Sequence, residues 1–543
     1  MKDVLKVLLL LICLFVVVTA FAQTQERKTE VEPGTLFETS DKCMACHNSL
    51  TAPSGEDISI GSSWRGSMMA NSARDPYWQA SVRREVMDHP ESKLAIEDEC
   101  AKCHMPMVRF EAKTSGQKAG IFEHLPFESD SDRNVQLAED GVSCTVCHQI
   151  TDKGLGLPNS FTGNFEIDTS RSRGEREIYG PFEIDKGRTR IMRSATGFKQ
   201  TESLHVRKSE LCATCHTLFT HALGPGGQPQ GELPEQTPYQ EWLHSRYREE
   251  KSCQDCHMPV VSEPTPITSV LGEPRERVAR HNFQGGNFFV LQMLHRFRGE
   301  LGVRALPQEL ELGSRTAREH LQTATARITL ERPTIQAGQL DVNVAVANLS
   351  GHKLPTAYPS RRAWIRFVVR DSRGSVVFES GGISPTGAIQ GNDNDADPLR
   401  FEPHHLEIRS ANDVQIYESV MADRNGAVTT GLLSAVRYLK DNRLLPDGFE
   451  KSTAEPAIAV HGAAAGDSDF SGGSDRVRFL VDVSSAQGPF SVTAELWFQP
   501  IAYRWAENLR GYDAPETTRF VGYYQAMSAS SATLITQATA VIN

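Results

Sequence analysis

Cys43-Met-Ala-Cys46-His47 is met four times more along this chain, as Cys100-Ala-Lys-Cys103-His104, Cys144-Thr-Val-Cys147-His148, Cys212-Ala-Thr-Cys215-His216 and Cys253-Gln-Asp-Cys256-His257. Cys-x-x-Cys-His is the attachment pattern of c-type haem. The two thiols bond the vinyl groups of the porphyrin, and the His takes the iron from the proximal side. The spacing has a geometric reason: positions i, i+3 and i+4 share one face of a helical turn. Both sulfurs and the imidazole can therefore meet one porphyrin edge and its metal. The sequence predicts five covalently bound haem c groups.

Ten of the eleven cysteines belong to these motifs, and the eleventh, Cys13, lies in an N-terminal apolar run. No other thiol is left for a structural disulfide. Paired Cys-x-x-Cys segments also build zinc sites with four thiolates. Zinc does not account for a His after every pair, and five pairs cannot all be matched two by two.

Lys2 and Lys6, the apolar run over 7–18 and Ala20-Phe21-Ala22 before Gln23 read as a cleaved secretory signal over 1–22. An uncleaved membrane anchor is the competing reading, because the run is nearly long enough to span a bilayer. Export to the periplasm, or otherwise out of the cytoplasm, suits covalent haem attachment. The formal net charge of -11 argues against nucleic acid as a partner. It suits a redox partner with a basic docking surface.

A length of 543 residues implies at least two domains. The motifs occupy 43–257, among short helical stretches such as 74–88 and 290–297 joined by Gly, Pro and Asp turns. Porphyrins are large apolar bodies and can stand in for a side-chain core there. Residues 154–199 carry no motif and read as a surface excursion. A helix is expected over 308–324. Alternation then takes over at 326–331, 340–348, 363–370, 376–379, 477–483 and 491–498, the pattern of an antiparallel sandwich. Helices are expected at 432–440 and 516–537, and a loop at 461–475. The resulting division is an α-helical, loop-rich pentahaem domain over 23–305, a helical linker over 306–325 and a β-sandwich-like domain over 326–543.

A six-coordinate haem needs a second axial ligand, and seven histidines of the first half lie outside the motifs. His205, just before Cys212, and His281, after the last motif, are the leading candidates, followed by His89 and His124. His221, His244 and His295 read as surface side chains. Met68 and Met69 could supply a thioether, though core packing is their ordinary use.

The stretches Ser67-Met-Met-Ala-Asn-Ser-Ala-Arg-Asp-Pro76, Asp140-Gly-Val-Ser-Cys144, Ser209-Glu-Leu-Cys212 and Cys253-Gln-Asp-Cys-His-Met-Pro259 resemble the multihaem cytochromes of the cytochrome c554 type, a group related to hydroxylamine-oxidoreductase-like proteins. The resemblance covers roughly residues 40–300. It implies closely stacked, mostly bis-His haems that pass electrons. Members of the group carry four haems or more than five, so haem order does not transfer.

In the second half, Asn348-Leu-Ser-Gly-His-Lys-Leu-Pro-Thr356 ends a strand and is followed by Arg361, Arg362 and Trp364. His352 either reaches across to a haem or closes a structural turn by bonding backbone. Asp393, Asp395 and Asp397, with Glu402 and His404 beyond, form an acidic run of the kind calcium favours. It departs from the EF-hand pattern, with Pro398 at the Gly position. Asp467, Asp469 and Asp475 are a weaker cluster of the same kind.

Two functions follow. The first is an electron relay between a redox donor and a redox acceptor, with the β half as a docking module for a membrane partner or another subunit. The second is an oxidoreductase acting on a small nitrogen or sulfur compound at an iron with an open position. Every motif ends in His, which places electron transfer ahead of catalysis.

Overall fold

The computed structural model describes residues 36–127 and 132–543. The N-terminal apolar run, its cleavage pattern and Cys13 lie outside them. No helix among the described residues is long and apolar enough to cross a membrane.

The first half is built of short helices that border an inner space on one side and share an apolar cluster, with Phe37, Ile96, Met107, Ile121 and Leu137 buried in it, on the other. Helix Pro76–Asp88 starts where Asp75 accepts from the Tyr77 and Trp78 amides and Pro76 takes the first position. Helices Lys93–His104, Ser209–His216 and Cys253–His257 each end on a motif histidine, so three motifs close a helical turn as their spacing requires. Helix Phe288–Arg296 packs against Pro307–Ala324, whose Leu310, Ala317 and Leu321 are buried on one stripe.

Two sheets face each other in the second half. One runs Val376–Ser380, Arg362–Arg370, Phe490–Gln499, Thr533–Ile542, with Ile416–Tyr417 also paired to Arg362–Arg370. The other runs Glu407–Ile408, Ser474–Asp482, Gln339–Asn348, Ala326–Gln336. Their pairings are antiparallel except that of Glu407–Ile408 with its neighbour. Alternate residues such as Val342, Val344, Phe367, Val369, Val492 and Phe479 point inward and are buried. Phe367 and Phe479 stack across the gap at 4.1 Å between ring centres.

One apolar cluster crosses residue 325. It joins Tyr77, Phe289, Leu294 and Leu310 to Leu340, Phe367, Leu496 and Phe520. The helix expected as a linker is thus part of a shared core. Helix Pro515–Met527 lies on helix Pro76–Asp88, with Tyr77 and Phe520 rings 5.0 Å apart and Arg83 paired to Glu516 at 2.8 Å.

Three expectations need correction. Residues 432–440 form a short turn and then strand Ala435–Asp441, because apolar positions that fit either period are claimed by pairing with Ser419–Asp423. The long helix expected over 516–537 stops at Met527, and Thr533–Ile542 completes the five-stranded sheet. The excursion at 154–199 contains helix Lys186–Thr196 and strand Glu177–Gly180, which pairs in parallel with Lys199–Glu202 and walls the inner space.

Arg362, 1% exposed, forms a two-pronged pair with Asp395 at 2.8 and 2.9 Å and bonds Gln499 at 2.8 Å. Arg362→Ala leaves a buried carboxylate unpaired and is expected to cost about 3–5 kcal/mol in denaturant unfolding. Arg478→Ala, which breaks an exposed pair with Asp341, leaves the midpoint nearly unchanged.

Candidate functional site

All fifteen Cys and His residues of the five motifs border one continuous cavity of about 960 Å³. That is the upper end of the size that holds a single small ligand, yet this space touches every motif. The ten cysteines are half-buried free thiols. Their spatial order departs from chain order. The Cys144 thiol lies against Cys43, Cys215 against Cys103, and Cys212 against Cys253, with Cys147 close to both Cys212 and Cys215. Motif 1 thus neighbours motif 3, and motif 4 neighbours motifs 2, 3 and 5.

Backbone carbonyls orient four of the five motif rings. The Nδ1–H of His47 donates to Ile267 O at 2.6 Å, that of His104 to Ser72 O at 2.9 Å, that of His148 to Tyr179 O at 2.6 Å and that of His257 to Gln284 O at 2.5 Å. A carbonyl can only accept, so each Nδ1 carries the proton and each Nε2 keeps its lone pair. This is the usual second-shell arrangement of a metal-binding imidazole. Burial holds the rings neutral, with His104 and His216 pushed down to about 4.

Two further rings face motif rings across the cavity. His281 lies 6.3 Å from His148 between centres, with planes 19° apart. His352 lies 6.1 Å from His257, with planes 10° apart. Two imidazoles held through Nε2 on opposite sides of one metal, at about 2 Å each, have ring centres roughly 6 Å apart. His281 and His352 also give their Nδ1–H to carbonyls, of Ala279 at 3.0 Å and Lys353 at 2.9 Å. The cavity, its sulfurs and these rings fit haem c.

The other expected ligands are placed differently. His205 is buried with both ring nitrogens engaged, to Ser203 Oγ at 2.7 Å and Ile150 O at 2.8 Å, which removes the lone pair it needed. His89 ends helix Pro76–Asp88, and His124 is buried beside Glu123; neither borders this cavity, but the Nε2 of each is enclosed without a hydrogen bond, which is compatible with the ligand role expected of them. His221 and His295 are exposed, and His244 packs on Phe449. Met68 and Met69 line the cavity. His320 also lines it, 5.9 Å from His257 with planes 52° apart. His320 belongs to helix Pro307–Ala324, outside the half from which ligands were expected.

The acidic run of the second half does not converge on one point. Asp395 pairs with Arg362, Asp393 with Arg400 at 2.6 Å, and Asp397 accepts from the Leu399 amide. His404, Asp467 and Asp475 do lie together and buried. His404 Nδ1 accepts from the amides of Gln415 at 2.8 Å and Asn442 at 3.0 Å, so its Nε2–H donates to Asp467 at 3.0 Å. That proton occupies the position a metal would need.

No family model matches the chain, and no curated protein matches it. Among solved structures, a penta-heme cytochrome c552 from Thermochromatium tepidum is similar with a TM-score of 0.53 at 16% identity, over 94% of this chain and 100% of that one. The likeness shows a multihaem cytochrome fold. It extends far beyond residues 40–300, so the second half of this chain shares in it.

Glu235, 5% exposed on the cavity wall, accepts from Thr220 Oγ1 at 2.6 Å. Burial, reinforced by the charge of Glu85, pushes its carboxyl from 4.5 to about 7. The unfolded chain gives up this proton near the ordinary value, so ionisation costs the folded state increasingly above it. A protonated-carboxyl infrared band should fade as pH rises through about 7 and be absent in Glu235→Gln. That variant should exceed the parent in stability at pH ~8 and match it at pH ~4.

Proposed function

We propose that this protein is a periplasmic, or otherwise exported, pentahaem c-type cytochrome that relays electrons between a redox donor and a redox acceptor. The contact between motifs is the observation that carries this reading. Each sulfur marks a porphyrin edge, so thiols that are neighbours between motifs 1 and 3, 2 and 4, and 4 and 5 would bring the edges of neighbouring cofactors together. Haem c, when bound, supplies the ferric–ferrous couple.

The chain's own residues hold, orient and keep dry. Carbonyls of Ser72, Tyr179, Ile267 and Gln284 fix four proximal rings. His148 and His281, with rings 6.3 Å apart, would together hold one haem iron, and both rings would then be taken up in binding it. Val146, Ile150, Val290 and Leu291 are buried along the cavity wall and exclude water. The formal charge of -11 suits partners with basic docking faces, and the β half is a docking module for a membrane partner or another subunit.

A second reading, an oxidoreductase for a small nitrogen or sulfur compound, is favoured by Arg361. Its guanidinium lines the cavity near His216 and bonds only neutral groups, Thr356 O at 3.0 Å and Asn287 Oδ1 at 3.2 Å. Burial pushes its pKa down to about 10. Among the described residues no carboxylate lies within ion-pair distance of it; the charge of Asp75, on the same wall, acts on it from farther away and opposes the effect of burial, and an anion entering the cavity could approach it more closely. The Tyr77 hydroxyl stands near it, and that of Tyr358 neighbours Tyr77.

Intact mass of the exported protein should show five bound tetrapyrroles, and His281→Ala should convert one low-spin haem to high spin in electron paramagnetic resonance. Colourless protein ends the relay reading. Resting high-spin signals displaced by nitrite or sulfite, with the displacement weakened at least tenfold in Arg361→Met, would put the second reading first.

A further inference from the structure

We propose that His352, carried by the second half of the chain, is the distal axial ligand of the iron held by Cys253-Gln-Asp-Cys256-His257. The inference rests on the haem reading above and assigns a ligand across the two halves. Geometry carries it. The His352 and His257 rings are 6.1 Å apart and within 10° of parallel. Parallel rings in face contact stand much closer, at about 3.5–4 Å; these leave room for one metal ion. The His148–His281 pair has nearly the same separation, 6.3 Å, in a different part of the cavity.

Protonation agrees with the geometry. Lys353 O takes the Nδ1–H of His352, and Gln284 O takes that of His257, so both Nε2 lone pairs are free. The carbonyl contact expected of a structural turn is therefore present, and it is also what prepares the ring to bind a metal.

The loop is held so that the ring stays in place. Asn348 Nδ2 donates to His352 O and Leu444 O, both at 2.9 Å. Glu241, from the motif half, accepts from Lys353 N at 3.1 Å and Thr356 Oγ1 at 2.5 Å, and pairs with Arg443 at 2.9 Å. Lys353 Nζ is buried against Asp441 at 2.7 Å. The ring is thus bolted to both halves.

His320 is the competitor, and its hydrogen bonding disqualifies it. Gln284 Nε2 donates to Cys256 O at 2.8 Å, which fixes the amide orientation, and the same nitrogen approaches His320 Nδ1 at 3.1 Å. Nδ1 of His320 therefore accepts, and its Nε2 carries the proton. Its plane is also turned 52° from that of His257.

The test uses the full, haem-loaded chain. In His352→Ala, one haem in five should pass from low to high spin, and added imidazole should restore the low-spin signal. His320→Ala should leave all signals as in the parent. Should His352→Ala fail to accumulate, His352→Met, which keeps side-chain bulk, should show one His/Met charge-transfer band and one reduction wave moved to higher potential. Five attached haems with an unchanged His352→Ala or His352→Met spectrum would overturn the assignment, as would high spin appearing in His320→Ala. A parent protein without tetrapyrrole mass would instead overturn the haem reading itself.

Discussion

An imidazole binds a metal only through a nitrogen free of a proton, and in this protein backbone carbonyls decide which nitrogen that is. Ser72, Tyr179, Ile267 and Gln284 each take the Nδ1–H of a motif histidine. These carbonyls lie in segments remote from the motifs they serve. The 154–199 stretch earns its place this way, since Tyr179 is the partner of His148. The first half therefore combines an apolar cluster around Phe37, Met107 and Leu137 with carbonyls that aim rings into a common space.

That space also explains how the two halves relate. Apolar burial is continuous from Phe289 and Leu310 into the sandwich, and helix Pro515–Met527 covers helix Pro76–Asp88. The loop after strand Gln339–Asn348 places His352, Tyr358 and Arg361 on the cavity wall. A sandwich that only docked beside the motifs would need none of these residues there.

The local patterns were largely legible in the sequence. Alternation located the strands beginning at 326, 339, 362, 376 and 490 closely, and the stripe of Leu310, Ala317 and Leu321 gave its helix. Residues 432–440 misled because Leu432, Leu433, Ala435, Val436 and Tyr438 satisfy both periods, and only a tertiary partner chose between them. The motif residues of the site were legible because covalent chemistry fixes their spacing. The facing rings His281 and His352 were named among the candidates, but not the motifs they meet, because proximity in the chain says little about which side of a cavity a ring reaches. His205, seven residues before a motif, is spent on Ser203 and Ile150, whereas His281 meets a motif more than a hundred residues upstream.

The arrangement of sulfurs gives the fourth motif a rank its position in the chain conceals. Cys212 and Cys215 reach toward three other motifs, whereas Cys43 and Cys46 sit at the end of an arm. Anything conducted along these contacts meets a fork at Cys212–His216. Damage at the first motif would shorten one branch, and damage at the fork would split the network into isolated islands.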